Sequence, residues 1–130
     1  MKVTRFHATA DGESCFQDIQ IPILEPRPDQ FGHTILQSSA WPSPSIRFVE
    51  LPQGLDQSWH NAPARQIVVV LSGTIEVGTS DNQKRRFAYG QAFIADDVTG
   101  KGHLTRVVDG PARVMFVQLP QGFDVDRWSP

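Results

Sequence analysis

The segment Gly54-Leu-Asp-Gln-Ser-Trp-His60-Asn-Ala-Pro-Ala-Arg-Gln66-Ile-Val-Val-Val-Leu71-Ser-Gly73 decides how this sequence is read. Its second half, Gln66 to Leu71, is β-branched and nearly all apolar, so it reads as a strand covered on both faces. Ser72-Gly73 then supplies a two-residue hairpin turn. The first half reads as a polar loop that leads into the strand. His60 and Gln66 stand near its end, where a barrel can aim polar side chains at its own interior. Side-chain alternation puts Gln66, Val68 and Val70 on the inner face and turns Arg65 outward.

Downstream, the pattern continues in short units. Thr74 to Thr79 alternates, with Ile75 and Val77 on one face. Ser80-Asp-Asn-Gln83 is a turn, and Lys84 to Tyr89 is the returning strand. Gly90 leads into Ala92 to Ala95. A polar loop from Asp96 to Gly102 precedes the strand His103 to Val108. Asp109-Gly110-Pro111 reads as another turn, and Arg113 to Leu119 as the last strand. The tail from Gln121 carries Phe123, Val125 and Trp128, and reads as a short helix or arm docked on the outside.

Upstream, Ser45 to Leu51 is a strand in which Ile46 and Phe48, with Leu51 as a further candidate, stand apart from Arg47 and Glu50. Residues 2–8 alternate weakly. Phe16 to Leu24 contains Pro22, which makes it an edge strand or extended arm. Glu25-Pro-Arg-Pro-Asp29 reads as an extended connection, because proline restricts the residue before it. Gly32 to Ser39 holds one further short strand. Ten prolines are scattered along the chain and leave no room for a long amphipathic helix. Strands at roughly ten-residue spacing mean an all-β sandwich or barrel. The reading is one domain over residues 1–130. Residues 1–44 form N-terminal strands and an arm, 45–119 the barrel strands, and 120–130 a C-terminal arm.

Bulk properties narrow the function. At 130 residues with a formal charge of −2, the chain can bury a core and has no basic footprint for nucleic acid or an anionic membrane. The run Lys84-Arg-Arg86 is a solvated hairpin flank. A lone cysteine, Cys15, excludes an intrachain disulfide and reads as a small packed residue rather than a nucleophile. The N-terminus lacks an apolar core, and no later stretch approaches about 18 apolar residues, so a cytoplasmic protein is expected.

Two spaced patterns carry the chemistry, and they resemble the paired motifs of the cupin superfamily. Its first motif runs glycine, five residues, His-x-His, three or four residues, glutamate, six residues, glycine. Here Gly54, His60, Gln66 and Gly73 keep that spacing, with Ala62 in the second histidine position and Gln66 in the glutamate position. Its second motif runs glycine, five residues, Pro-x-Gly, two residues, histidine, three residues, asparagine. Gly90 and Gly100-Lys-Gly-His103 follow it, with a loop two residues longer and with Val98 and Val107 at the proline and asparagine positions.

The resemblance implies a double-stranded β-helix, or jelly-roll barrel, with a metal site inside. Residue by residue it transfers His60 and His103 as ligands, with Gln66 a neutral and weaker donor to Zn²⁺, Fe²⁺, Mn²⁺ or Ni²⁺. Asp97 would supply the missing charge, or carry a proton, if its loop folds inward; its alternative is an Asx turn. Trp59 is either a wall of the ligand pocket or a packing aromatic. Two functions follow. One is a metal-dependent enzyme acting on a small organic molecule; the other is a metal-free small-ligand binder. A homodimer is expected in either case.

Overall fold

The computed structural model describes residues 1–130, and nearly all of its regular structure is β. In chain order the strands are β1 (Lys2–Ala8), β2 (Ser14–Gln20), β3 (Glu25–Pro28), β4 (Thr34–Gln37), β5 (Ile46–Leu51), β6 (Asp56–His60), β7 (Gln66–Gly78), β8 (Lys84–Ala88), β9 (Ala92–Asp96) and β10 (His103–Gln118). A short 3-10 helix, Val125–Trp128, closes the chain. No helix is long and apolar enough to cross a membrane.

Strands β7 and β10 organise everything else. They are 13 and 16 residues long and pair antiparallel from Gly78–Leu104 to Gln66–Gln118. Both bend at the same place. Gly73 has φ +76°, and a Cβ there would lie 2.6 Å from the Asp109 carbonyl oxygen and 2.8 Å from Ala112 Cα. The β7–β10 register shifts on either side of Asp109. Before the corner, β7 belongs to a layer ordered β2-β1-β9-β7-β10-β5. Past it, β8 pairs with β7 and β6 pairs with β10 to make the facing layer. Two layers sharing two bent strands form the all-β jelly-roll barrel that the sequence suggested.

This geometry corrects two assignments. Neither Ser72-Gly73 nor Asp109-Gly110-Pro111 is a turn that ends a strand. Each is one half of the corner, and β7 and β10 run through it. Glycine and proline signalled a change of direction, but the change is a bend within a continuous ladder.

Other segments differ from the sequence reading as well. Residues 56–60, read as part of a loop, form β6. Residues 25–28, read as a connection, pair with β4 as a separate two-stranded ribbon in which every strand residue is exposed. Pro26 and Pro28 are tolerated because a two-stranded ribbon leaves one edge of each strand unpaired. In β5 the apolar pair faces outward. Ile46 and Phe48 are 63% and 71% exposed, while Arg47, Val49 and Leu51 line the barrel interior. An apolar pair on the outside was indistinguishable by alternation from an apolar pair on the inside.

The inner core lies between the layers around Phe6, Val68, Val70, Ile75, Phe93 and Val114. A second cluster lies outside the first layer, where Phe123, Val125 and Trp128 pack on Val3, Ile19 and Ile94. The C-terminal segment is therefore docked externally, as its apolar spacing indicated. An ion cluster fastens it. Arg5 Nη1 reaches Asp126 at 2.6 Å, Arg5 Nη2 reaches the buried Asp96 at 2.6 Å, and Arg65 pairs with Asp96 while its Nη1 donates to the Phe123 carbonyl at 2.9 Å. Arg65 does point away from the interior.

The Arg5 guanidinium holds the Asp126 carboxyl below its ordinary value. A depressed carboxyl contributes stability that is full above its unfolded value, about pH 3.9, and is lost as pH falls through the lower folded value. In Asp126→Asn, thermal melts at neutral and acid pH are expected to show a shallower loss of Tm below about pH 4 than the parent shows. Identical acid limbs would remove Asp126 from this account.

Candidate functional site

The two histidines of the motifs meet. His60 ends β6, His103 begins β10, and they are direct partners in the ladder. Their rings lie 4.3 Å apart, centroid to centroid, inclined at 54°. The approach depends on Gly102, where the chain enters β10 at φ +79°. A Cβ at that position would fall 2.2 Å from the His60 carbonyl oxygen.

Both imidazoles are oriented through Nδ1. His60 Nδ1 donates to the Ser58 carbonyl at 2.6 Å. His103 Nδ1 lies 2.5 Å from Asp97 Oδ2. A carbonyl or carboxylate oxygen accepts, so Nδ1 carries the proton in each ring, and Nε2 is left without a protein partner. Phe6 covers His103 at 4.6 Å between ring centres.

Asp97 is placed differently from either sequence expectation. It is neither an Asx-turn acid nor an acid that reaches into the cavity. It is fully buried behind His103, and its Oδ1 has no hydrogen-bond partner. The loop after β9 curls so that Asn61 Nδ2 donates to the carbonyls of Asp97 and Gly100, both at 3.1 Å. Asn61 thus pins the loop carrying Asp97 to the strand end carrying His60. The sequence reading missed it, and its only signal was its position next to His60. Asp96, read as a loop residue, is also buried, as the last residue of β9.

His60 and His103 open onto a cavity of about 540 Å³ between the layers. That lies within the roughly 300–1,000 Å³ typical of small-molecule sites. Gln66, at the start of β7, lines the same cavity, with Val68, Val77 and Phe93 among its apolar walls. Trp59 does not line it. Its side chain is on the outside, 48% exposed, so it is not a pocket residue. Arg47 and Gln118 do line it and were not anticipated. Cys15 is only half-buried, and its Sγ lies 3.4 Å from His7 Nε2, away from the cavity. Burial pushes its thiol up, and Asp81 adds to this, the opposite of what a nucleophilic thiolate needs.

The donor set does not suit a resident divalent ion. No group of three or more His, Cys, Asp or Glu side chains is arranged so that it could hold a metal ion. Catalytic sites of the zinc type use three protein ligands, and these ions favour imidazole, thiolate or carboxylate over a neutral amide. Ala62, in the second histidine position, is buried and offers nothing. Asp97 is on the far side of His103, in the place of a carboxylate that orients an imidazole, not of a ligand.

No family model matches this sequence, and no curated protein matches it. Several solved structures are similar. A Neisseria meningitidis protein is 19% identical with a TM-score of 0.46, covering 56% of this chain and 71% of its own. A conserved Streptococcus pyogenes protein of unknown function is 26% identical with a TM-score of 0.46, covering 59% and 65%. The Schizosaccharomyces pombe Cnp3 cupin domain is 16% identical with a TM-score of 0.44, covering 90% and 87%.

Proposed function

We propose that the barrel binds a small organic molecule between its layers, with Nε2 of His60 and Nε2 of His103 as polar contact atoms. What supports this is one arrangement: two adjacent imidazoles on a cavity wall, each with Nδ1 engaged and Nε2 unpartnered. A pocket of this size, mostly apolar with a few convergent polar groups, is the usual form of a metabolite site. A second reading is favoured by Asp97. A carboxylate on Nδ1 fixes an imidazole with Nε2 as the proton acceptor, which is how a general base is held. On that reading His103 removes a proton from the bound molecule and Asp97 orients it. Neither reading uses a metal.

The test is a metabolite panel scored by thermal shift, followed by mass spectrometry for product. A ligand at 100 times its Kd adds about 2.7 kcal/mol of stability, which a melt resolves easily. The expected result is a ligand that raises Tm in the parent and not in His60→Ala. Product that disappears in His103→Gln would favour the second reading. Elemental analysis of chelator-free protein accompanies the screen. About one metal per chain, lost in both His60→Ala and His103→Ala, would replace this proposal with a metal-dependent one.

The outward face of β5 bears on assembly. Ile46 and Phe48 are exposed on a strand at the end of the larger layer. Burying such side chains is worth roughly 1.5–3 kcal/mol each. We therefore expect a homodimer through this face. Light scattering should give twice the chain mass for the parent and the chain mass for Phe48→Glu. A monomeric parent at high concentration would refute it.

A further inference from the structure

Arg47 is out of place for a barrel strand. It faces the cavity, while its apolar neighbours Ile46 and Phe48 face solvent. Its guanidinium has no ion-pair partner, although barrel-strand arginines outside the cavity, such as Arg85, Arg86, Arg106 and Arg113, are each paired with a carboxylate. No aspartate or glutamate lines the cavity. Arg47 is solvent-exposed at the cavity's rim, and a cation on a pocket wall without a counter-ion attracts an anion.

The surrounding strands supply matching donors. Across the β5–β10 ladder Arg47 is opposite Phe116, and Gln118 lies diagonally beside it on the same face. Ser45 Oγ donates to Gln118 Oε1 at 2.9 Å. That bond fixes the amide so that its NH₂ remains a free donor. Gln66 is the direct partner of Gln118 on the next strand. Guanidinium and amide therefore sit together on one wall, beside the apolar Val68, Val114 and Phe116. His60 and His103 belong to strands of the other layer.

We infer that the occupant is a small monocarboxylate with an apolar body, its carboxylate held by Arg47 and the Gln118 amide. This rests on the ligand-binding reading above and names the class of ligand. Arginine suits the role because its planar fork matches a carboxylate with two parallel hydrogen bonds. The apolar body would lie against Val68, Val114 and Phe116, and the end remote from the carboxylate would face the two histidines.

The probes are 3-phenylpropionate, its primary amide and the corresponding alcohol, which share size and differ in charge. Binding is measured by calorimetry to the parent, Arg47→Gln and Arg47→Lys, with a melt of each to show that it folds. The expected result is that the acid binds the parent at least about tenfold more tightly than the amide or alcohol, the order of one charge-assisted contact. Arg47→Gln should abolish that preference, and Arg47→Lys should keep part of it. Equal binding of acid and amide, or an unchanged acid affinity in Arg47→Gln, would overturn the carboxylate assignment and leave the pocket reading standing. No binding by any of the three would overturn both.

Discussion

Replacing His103 with leucine is expected to lower the unfolding free energy by about 3 kcal/mol or more, the upper end of the cost of leaving a buried acceptor, here a carboxylate, without its partner. The cause is Asp97, not the lost imidazole. Asp97 is fully buried, its Oδ1 has no partner, and its Oδ2 has only His103 Nδ1. Without His103 neither carboxyl oxygen has a protein partner. Urea melts of the single variants and of the double variant Asp97→Leu/His103→Leu test the point. The double variant should recover much of the loss, because a buried pair replaced by apolar groups is often neutral. Additive single and double effects would mean that the two side chains do not act as a pair. Against a typical domain stability of about 5–15 kcal/mol, the single change threatens folding outright.

Gly102→Ala should be nearly as damaging, and it separates two penalties. The left-handed backbone at φ +79° costs an L-residue about 1–2 kcal/mol. The added methyl also meets the His60 carbonyl at 2.2 Å, and overpacking of that kind costs roughly 1–3 kcal/mol more. Gly54 is the control, since it has φ +83° and nothing within 4 Å of an added Cβ. Gly54→Ala should show the backbone penalty alone. Equal losses in both variants, read from urea melts, would mean that the contact with His60 relaxes freely. The expected difference has a functional side. Any relief of the clash at residue 102 moves β6 away from β10, and with it His60 away from His103.

Much of the strand order was legible because hydrophobic alternation and β-branched runs are local signals. Gln66 to Leu71 and Ala92 to Ala95 needed nothing else. The corner at Gly73 and Asp109 was not legible. A glycine that ends a strand and one that bends it look alike until the partner strand is known. The facing of β5 was not legible for a related reason. Alternation gives two faces but not which is inner, and here the inner one carries Arg47. His60, Gln66 and His103 were found because their spacing is a chain property. Arg47 and Gln118 were missed because the ladder, not the spacing, brings them to the cavity, and Asn61 because its side-chain bonds to the Asp97 loop depend on how that loop curls. Asp97 was singled out, but its role turned on burial, which no residue of its loop announces.

The sharing of β7 and β10 by both layers bears on how the molecule breathes. A sandwich of independent sheets can part like a book. Here the same two strands supply hydrogen bonds to both walls, so separating the walls means tearing the central ladder. Amide exchange should therefore report one cooperative unit, with protons on either side of the corner leaving at the global unfolding rate. A guest cannot enter by prying the layers apart. It must pass the rim where Arg47 and Gln57 reach solvent, and its residence time will be set there.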